Sequence, residues 1–384
     1  MNKNILVLAC FISIYSLGFS QERYLDEVFD EVIITEDVVY GNAPDLPFLF
    51  FFEWNTNDVD LDMDIYEPAG DTETKRPVIV FLHTGAFFSG NNELDDVVDL
   101  SIASAKRGYV AVNINYRVGL NILSTYSGER AVYRGVQDAS AAIRYLREFH
   151  EELNIDPDNI FIWGTSAGAF IGLHLAYSQE DERPEASYGG GSDPDLGCID
   201  CEGNNYLHNS KPNALVSCWG AIGDIEWIDP EDNIPAILFH GTLDLIVPFD
   251  SGFPFTIDIA LPVVYGSNPI HDRLEELDIQ NEFHIGEGEL HEYWGTVNGN
   301  WFLGPNENFT QIQNDSYNFL YQFIDMDSTD IAGDLNHDNT VDILDVIQVV
   351  SYILNGEYVE EADMNGDGVL NILDVIIYID IILQ

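Results

Sequence analysis

The pentapeptide GTSAG at residues 164–168 places a serine between small residues. It follows an apolar run, residues 159–163, and it begins a segment with helical character, residues 166–177. A sharp turn from a strand into a helix exposes a serine hydroxyl and requires small residues two positions to either side. The helix N-terminus adds a partial positive charge beside a developing oxyanion. The motif therefore predicts that Ser166 is a nucleophile, the alternative being a glycine-bracketed helix cap.

A nucleophilic serine needs a general base, and a carboxylate must orient that base. His291 fits the base because it lies on a loop after the last predicted strand, residues 282–285. Asp244 fits the acid because it follows the strand at residues 236–240, whereas His240 at the end of that strand is expected to be structural. The chain order Ser, Asp, His is one in which such sets occur. Two other carboxylates compete for the role of the acid, Asp224 and Asp250.

An oxyanion is stabilised by backbone N–H groups that already point toward it. The sequence HTGAF at residues 83–87 directly follows the predicted strand at residues 78–82. Its small residues allow backbone amides to turn inward. Gly85 and Ala86, together with the amide of Ala167 after the nucleophile, are therefore the predicted oxyanion donors.

The elements that would position these residues alternate between strands and helices along residues 21–325. Continuous apolar runs are typical of a parallel sheet that is covered on both faces. The alternation predicts an α/β fold with right-handed crossovers, in which helices flank a mostly parallel central sheet. The predicted strands are residues 31–40, 61–66, 78–83, 109–116, 159–163, 214–219, 236–240 and 282–285, and the predicted helices are residues 131–153, 166–177 and 313–324.

Three insertions interrupt this alternation, at residues 180–213, 250–267 and 293–310. They follow the ends of strands or helices, where α/β proteins place their binding sites. Their Tyr, Phe, Trp and Gly content favours substrate-facing loops or a cap. Loop decoration without function is the alternative interpretation.

Six segments of the chain follow one known pattern: LDMDIYEP (61–68), PVIVFLHTGAFFSG (77–90), VNINYRV (112–118), QDASAAIRYLR (137–147), IDPDNIFIWGTSAG (155–168) and FHGTLDLIVP (239–248). Through them, residues from about 30 to 325 resemble secreted carboxylesterases of the α/β-hydrolase superfamily, close to the hormone-sensitive-lipase-like and type B esterases. The resemblance implies an α/β-hydrolase fold, an ester substrate, an acyl-serine intermediate and no catalytic cofactor. Thr84 departs from the family, which usually has glycine at this position.

Residues 326–384 differ in composition and contain two similar segments that begin at Asp334 and Asp363. Oxygen-bearing residues alternate in each segment, as in loops that wrap a calcium ion, and Gly368 suits the tight turn of the second. Asn339 replaces this glycine in the first loop, and Asn tolerates left-handed geometry. Acidic turns without metal are the alternative. The predicted calcium ligands are Asp334, Asn336, Asp338, Thr340, Asp342 and Asp345 in the first loop and Asp363, Asn365, Asp367, Val369, Asn371 and Asp374 in the second, with Thr340 and Val369 acting through their carbonyls.

An apolar helix is predicted after each calcium loop, at residues 346–354 and 375–383. This arrangement resembles a dockerin over nearly all of residues 330–384. The resemblance implies two calcium ions, a cohesin-like protein as a partner, and attachment to a complex or to the cell surface. The pairs at residues 343–344 and 372–373 are apolar, whereas many cellulosomal type I modules carry hydroxyl residues there. The apolar helical faces are alternatively expected to pack on each other.

The chain of 384 residues is strongly acidic, with 67 Asp and Glu against 14 Lys and Arg and a formal net charge of -53. Such a surface repels phosphate backbones and anionic lipid, so we expect no nucleic-acid partner. Hydrophobic residues make up 46% of the chain, which excludes the composition of a disordered protein. No Lys or Arg follows Arg273, so salt or bound cations must screen the C-terminal part.

Residues 1–20 indicate a secretory signal, because Lys3 precedes an apolar run at residues 5–17 and small residues up to Ser20. The run is shorter than the roughly 20 residues that a bilayer requires, and no later segment is long and apolar enough to span a membrane. A lipoprotein site at Cys10 is an alternative. We expect a protein that is secreted or attached to the cell surface.

Three cysteines remain after the predicted signal. Cys198 and Cys201 lie in a loop rich in Gly, Asp and Asn, and in an exported protein they could close a local disulfide. Zinc binding together with His208 is the alternative. Cys218 lies in an apolar run and is expected to be a buried thiol.

These patterns predict four parts: a signal peptide at residues 1–20, a catalytic domain at 21–325, a linker at 326–333 and a calcium-binding module at 334–384. The expected function is hydrolysis of carboxylic esters by a protein with a calcium-dependent docking module. One alternative is an esterase that removes feruloyl or acetyl groups from polysaccharide side chains. An alternative of another class is a non-catalytic binding protein docked through calcium.

Overall fold

The computed structural model describes residues 22–47, 52–256, 258, 261–324, 335, 341, 343–355, 358–359, 362–365 and 368–382. The chain divides into two compact units between Phe323 and Ile324. The predicted signal at residues 1–20 and the predicted linker at residues 326–333 lie outside the described residues. Within the described ranges, no helix has the length and apolar character needed to cross a membrane.

The first unit contains a central eight-stranded sheet that is mostly parallel, as the sequence predicts. The strands of this unit are β1 (Val32–Asp45), β2 (Asn57–Pro68), β3 (Arg76–Leu82), β4 (Val110–Ile114), β5 (Ile155–Thr165), β6 (Ala214–Cys218), β7 (Ala221–Ile222), β8 (Ala236–Gly241), β9 (Ser251–Gly252), β10 (Val264–Gly266), β11 (Asn281–Gly286), β12 (Thr296–Val297) and β13 (Asn300–Trp301). The sheet has the order β1-β2-β4-β3-β5-β6-β8-β11. β2 pairs antiparallel with β1 and β4, and the remaining neighbours are parallel. The predicted α/β fold class is confirmed.

The helices of this unit are α1 (Asp95–Arg107), α2 (Thr125–Glu148), α3 (His150–Leu153), α4 (Ala167–Tyr177), α5 (Ser267–Glu276) and α6 (Glu307–Tyr321). Helices α1 and α5 were not predicted from the sequence. The ends of α1 nevertheless carry recognisable signals, since two acids open it, Lys106 and Arg107 close it, and Gly108 caps it in the left-handed conformation. Short 3₁₀ turns lie at Glu180–Glu182, Glu185–Tyr188, Ile225–Trp227 and Pro254–Thr256.

The centre of the sheet is dry on both faces, because every residue of β3 and β4 is buried. The continuous apolar runs in these strands reflect this double burial. Helix α4 lies close against the sheet at Gly172, where a Cβ would be 2.8 Å from Leu215 Cδ1 and 3.0 Å from Ile162 Cγ2. This close approach fixes the start of α4, and with it the turn that carries Ser166.

The insertion at residues 180–213 runs along α2 and is bound to it by buried arginines. Arg130 donates to the carbonyls of Ala186 and Pro194 at 2.8 and 2.9 Å. Arg144 donates to the carbonyls of Glu202, at 2.8 Å, and Asn204, at 3.0 Å. A disulfide joins Cys198 and Cys201, and Cys218 is a buried free thiol. Much of this insertion therefore braces a helix, while Glu182, Arg183, Pro184 and Ile199 line a cavity.

The insertion at residues 293–310 forms the β12–β13 hairpin and the start of α6, and the hairpin contacts α1. The Trp301 backbone N–H donates to Asp95 Oδ2 at 2.9 Å, and Trp301 Nε1 donates to Asp99 Oδ2 at 2.8 Å. The hairpin is thus fixed to α1 by these hydrogen bonds.

The second unit contains helices α7 (Ile343–Asn355) and α8 (Ile372–Ile382). Its core is formed by Leu335, Val346, Val349, Ala362, Val375 and Tyr378. The apolar faces of both helices therefore contribute to a shared core, which is the alternative that the sequence left open for them.

We expect Arg144→Met to weaken the first unit by about 3 kcal/mol, because several carbonyls of residues 202–206 lose a buried donor. Urea unfolding followed by tryptophan fluorescence measures this change. Lys106→Met is the matched control, since Lys106 makes only a partly exposed ion pair with Glu27 at 3.6 Å. That control should change the unfolding free energy by less than about 0.5 kcal/mol. Equal losses in the two variants would contradict the bracing role of Arg144.

Candidate active site

Ser166 lies at a strained turn between β5 and α4. Its backbone has φ 52° and ψ -113°, a conformation that costs a non-glycine residue on the order of 1–3 kcal/mol. The Ser166 N–H donates to the Cys218 carbonyl at 3.0 Å, which holds the turn against β6. A Cβ on Gly168 would collide with the Leu82 carbonyl, and one on Gly164 would collide with the backbone of Gly168. The small residues of GTSAG are therefore required by close packing.

The structure brings Ser166, His291 and Asp244 together in one hydrogen-bonded chain. His291 Nε2 lies 2.9 Å from Ser166 Oγ, and His291 Nδ1 lies 2.6 Å from Asp244 Oδ2. Asp244 follows β8, and His291 follows the adjacent parallel strand β11. Both loops thus leave the same edge of the sheet as the serine turn after β5. Such an arrangement can move a proton from the serine hydroxyl to the imidazole.

The two competing carboxylates have other partners. Asp224 accepts from the Glu226 N–H at 3.1 Å and caps a 3₁₀ turn. Asp250 accepts from Asn268 Nδ2 at 2.8 Å on an exposed surface. The structure places Asp244, and neither of these two residues, against His291.

Asp244 has a buried side chain, and both of its oxygens are hydrogen-bonded. Oδ1 accepts from the N–H groups of Ile246, at 2.8 Å, and Val247, at 3.0 Å. Burial alone would raise the pKa of Asp244, but the hydrogen bonds with His240 and His291 lower that pKa below its ordinary range. Asp244 therefore remains ionised and keeps Nδ1 of His291 protonated.

His240 is fully buried and engaged at both ring nitrogens. Nδ1 lies 2.8 Å from Ser267 Oγ, and Nε2 lies 3.2 Å from the Val247 carbonyl and 3.4 Å from Asp244 Oδ2. Its ring therefore supports the Asp244 loop.

The loop after β3 presents amides beside the serine. Gly85, Ala86 and Phe87 have φ values of 130°, 53° and 56°, so three successive residues depart from ordinary geometry. The N–H groups of Gly85, Ala86 and Ala167 donate to no other acceptor in the described part of the chain. Phe87 anchors the loop through its carbonyl, which accepts from Gly119 and Leu120 at 2.8 and 3.0 Å. Free amides held in this way suit an oxyanion.

His83 opens this loop as a neutral, packed residue. Burial lowers its pKa to about 4, and Nδ1 donates to the Thr84 carbonyl. Its ring stacks on Tyr116 at 4.1 Å between centroids, and the Tyr116 hydroxyl donates to the His83 carbonyl at 2.8 Å. The residue therefore shapes the loop and carries no charge at neutral pH.

The space beside the Ser166 hydroxyl is apolar, and it continues toward a larger cavity. It is lined by Ala86, Phe87, Leu120, Ser166, Ala167, Phe170, Ile246, Val247, Pro254, Phe255 and Leu261. The larger cavity, of about 310 Å³, shares Phe170 and Leu261 with it and adds aromatic and acidic side chains such as Tyr133, Trp227 and Glu182. The insertion at residues 250–267 thus contributes to the walls of both cavities, and its role in facing a substrate stays a prediction.

The second calcium loop is only partly described, and its residues carry oxygen donors suited to a hard cation. The buried Asp374 carboxylate accepts from the Asn371 N–H at 2.8 Å and the Asn365 N–H at 3.3 Å. The Gly368 N–H donates to Asp363 Oδ2 at 2.7 Å, and Gly368 has φ 79°, which makes the tight turn. Asp367 lies outside the described residues. Among described residues, no three His, Cys, Asp or Glu side chains form a cluster that could hold a metal.

Of the first calcium loop, the structure describes Asp345, which is buried and accepts from the Leu335 N–H at 2.8 Å. The other predicted ligands lie outside the described residues: Asp334, Asn336, Asp338, Thr340 and Asp342. Asp345 and Asp374, the last predicted ligands of the two loops, therefore each accept from backbone N–H groups of their own loop, although at different positions.

Two family models match this chain. Residues 63–222 match the BD-FAE family, and residues 332–383 match the dockerin type I domain. In sequence, the chain is 31% identical over 151 residues to a para-nitrobenzyl esterase of Bacillus subtilis (strain 168), covering 37% of this chain and 30% of that protein. It is 34% identical over 129 residues to acetylcholinesterase of Gallus gallus, covering 32% and 17%. The chain thus spans less than a third of the length of these curated relatives.

Solved structures of similar fold include Thermogutta terrifontis esterase 2 phosphorylated by paraoxon, with a TM-score of 0.52 and 23% identity over 79% of this chain and 97% of that one. The same esterase phosphoramylated by tabun also has a TM-score of 0.52, with 22% identity over 76% and 94% of the two chains. The first unit therefore has the α/β-hydrolase fold. The resemblance to esterases of this superfamily with a C-terminal dockerin domain is confirmed by the sequence matches.

One buried group at the site, Glu292, was not predicted from the sequence. Glu292 directly follows His291 and accepts a hydrogen bond from Thr84, the residue that departs from the family pattern. A buried acid beside the predicted base and an unusual threonine in the oxyanion loop were both visible in the sequence. Their contact joins positions 208 residues apart, which no local pattern indicates.

We expect Asp244→Asn to lose stability in a pH-dependent way. Because folding lowers the pKa of Asp244, its ionised form stabilises the fold above about pH 4, and this contribution is lost as the pH falls further. The variant should unfold about 2 kcal/mol more easily than the wild type at pH 7, and the difference should narrow below about pH 4. Urea unfolding at several pH values measures it. Asp250→Asn is the exposed control, and a pH-independent difference for Asp244→Asn would contradict the expectation.

Proposed function

We propose that the first unit hydrolyses carboxylic esters through an acyl-serine intermediate. The observation that carries this proposal is the unbroken chain Asp244–His291–Ser166, with hydrogen bonds of 2.6 and 2.9 Å, at a strained strand-to-helix turn. The sequence matches to esterases support the reaction class.

Each step of the proposed hydrolysis is assigned to one of these groups. Ser166 Oγ attacks the ester carbon while His291 Nε2 accepts its proton, and Asp244 stabilises the resulting imidazolium. The N–H groups of Gly85, Ala86 and Ala167 hold the oxyanion. His291 then protonates the leaving alcohol, and a water molecule activated by the same imidazole releases the acid. These steps require no cofactor.

The surroundings favour an uncharged ester. The acyl carbon would meet apolar walls such as Phe87 and Phe170, and acids such as Glu129 and Glu182 line the adjoining cavity. An anionic substrate would be repelled by these acids and by the net charge of -53. The apolar walls accommodate the acyl chain, and the larger cavity can accept the alcohol portion.

A second candidate is an esterase that removes feruloyl or acetyl groups from polysaccharide side chains. The type I dockerin match at residues 332–383 favours it, because such a module would bring the enzyme to a polymer-degrading complex. Tyr133 and Trp227 in the larger cavity offer rings on which a sugar or an aromatic group could stack. Comparing turnover of nitrophenyl esters of increasing chain length with feruloylated and acetylated glycans distinguishes the two candidates.

For the second unit we propose calcium-dependent docking to a cohesin-like protein, outside the cell or at its surface. The matched dockerin model supports two calcium sites, and the hydrogen bonds of Asp363 and Asp374 in the described part of the second loop are consistent with one of them. The predicted signal at residues 1–20 and the disulfide of Cys198 and Cys201 are consistent with export.

We expect Ser166→Ala to lower kcat for a short-chain nitrophenyl ester by more than about 10⁴-fold, because the nucleophile is removed. The exposed Ser251→Ala is the control and should retain full turnover. A fluorophosphonate probe should label the wild type and not Ser166→Ala. Undiminished activity of Ser166→Ala would overturn the assignment, and a wild type that is neither active nor labelled would favour a non-catalytic binding protein.

Calcium removal should act on the second unit alone. We expect EDTA to lower the melting temperature of this unit in the full chain, because the loop acids then repel each other, while ester turnover changes by less than about twofold. Differential scanning calorimetry and an ester assay on one sample measure both effects. Added Ca²⁺ should restore the transition, whereas Mg²⁺ should not. Loss of turnover on chelation would contradict the independence of the two units.

A further inference from the structure

A buried carboxylate directly follows the catalytic base in the chain. Glu292 is only 6% exposed, and three donors satisfy it. Thr84 Oγ1 donates to Oε1 at 2.8 Å, while Thr296 Oγ1 and the Gly299 N–H donate to Oε2 at 3.0 and 3.2 Å. Glu292 therefore joins the loop of His291 to the oxyanion loop and to the β12–β13 hairpin.

The backbone at Glu292 is left-handed, with φ 50°. This conformation is uncommon for residues other than glycine, asparagine and aspartate, and it persists only where the surroundings enforce it. The three hydrogen bonds to the side chain supply that enforcement. The position and orientation of His291 thus depend on where the Glu292 carboxylate is held.

Both the hydroxyl and the methyl group of the Thr84 side chain contact neighbouring residues. Its hydroxyl bonds Glu292, and its methyl group packs toward Gly299, where a Cβ would lie 2.9 Å from Thr84 Cγ2. Thr84 precedes the two predicted oxyanion donors, so holding its side chain holds the start of their loop. This contact gives a physical reason for a threonine where related proteins usually have glycine.

The hairpin behind Glu292 is itself anchored to α1. The Gly299 carbonyl accepts from the Asp96 N–H at 3.0 Å, and Trp301 bonds both Asp95 and Asp99. Burial and the neighbouring Glu292 carboxylate raise the pKa of Asp96 well above its ordinary value. Asp96 can therefore remain protonated, which avoids repulsion between two buried charges. Glu292 consequently has a stationary support on the side away from the oxyanion loop.

We propose that Glu292 and Thr84 are positioning residues that lock the His291 loop and the loop of Gly85 and Ala86 in one relative placement. This inference rests on the proposed ester hydrolysis, in which the base and the oxyanion donors must act on the same carbonyl group. Catalytic geometry has to hold within about 0.5 Å, and a 1 Å misplacement can cost about 10²-fold in rate. The hydrogen bond between a hydroxyl and a buried carboxylate belongs to the stronger, charge-assisted kind.

The central test removes only the Thr84 hydroxyl. Thr84→Val keeps the branched shape, and we expect kcat for a nitrophenyl ester to fall about 10- to 100-fold with KM changed less than about threefold. Thr84→Ser restores the hydroxyl, and its kcat should stay within about fivefold of the wild type. Glu292→Gln should lower kcat in the same way, and Thr84→Val combined with Glu292→Gln should be much less harmful than the product of the single effects.

Thr296→Val is the structural control, because it removes the donor to Glu292 from the hairpin side, and the partner of Trp294 Nε1, while the bond from Thr84 that joins the oxyanion loop to Glu292 remains. We expect it to lower the melting temperature about as much as Thr84→Val does, with a loss of kcat at least fivefold smaller. Equal losses of kcat in the two valine variants would overturn the proposal. The loss of any hydrogen bond to the buried Glu292 would then explain both results, without a special role for the bond to the oxyanion loop. Circular dichroism checks folding, and Thr84→Ala replaces Thr84→Val if the latter does not fold.

The outcomes separate the two proposals. A wild type that hydrolyses esters while Thr84→Val and Glu292→Gln keep kcat within about twofold would overturn the positioning role and leave the proposed function standing. A wild type that neither hydrolyses esters nor reacts with a fluorophosphonate would overturn both. Reduced kcat in both variants, with recovery in Thr84→Ser, supports both.

Discussion

The close approach of α4 to the sheet is the constraint on which the site depends. The Ser166 turn is possible only because Gly168 lies against the Leu82 carbonyl and the Ser166 N–H is bonded to β6. The strain at this residue is maintained by two elements whose packing is dense and apolar, so the hydroxyl cannot relax away from the imidazole. The position of the Ser166 hydroxyl is thus a consequence of how α4 packs on the sheet.

The other groups reach this hydroxyl through loops that leave one edge of the sheet, and each loop has its own support. Backbone amides of Ile246 and Val247 hold Asp244, the carbonyl of Phe87 is held by Gly119 and Leu120, and hairpin β12–β13 holds the segment after His291. Because the site lies on supported loops above a rigid parallel sheet, its polar side chains are kept apart from the apolar core. The core can remain dry while the loops carry all the polar groups that act on a substrate.

The sequence alone predicted what is local. Apolar runs located the buried strands, and the GTSAG motif and the residues after β8 and β11 located the groups that the structure brings together. Helix α1 was missed although its capping signals were present, because its many polar residues obscure the apolar face. The bracing of residues 180–213 by Arg130 and Arg144 and the contact of Thr84 with Glu292 could not be predicted, since they join distant segments that only tertiary packing brings together. The calcium loops were predicted from spacing, and most ligands of the first lie outside the described residues.

The buried arginines also shape the protein's electric field. Arg117, Arg130, Arg134 and Arg144 have side chains that are 0–3% exposed and offer little positive charge to the solvent. The first three pair with the buried carboxylates of Asp138 and Glu53, and Arg144 donates to carbonyls. The outward field is consequently more uniformly negative than the composition by itself implies. In the proposed reaction, cleavage of a neutral ester would produce a carboxylate, which this field would repel over roughly a Debye length, about 8–10 Å at moderate salt. Departure of the acid would therefore be assisted electrostatically, and its rebinding would be opposed.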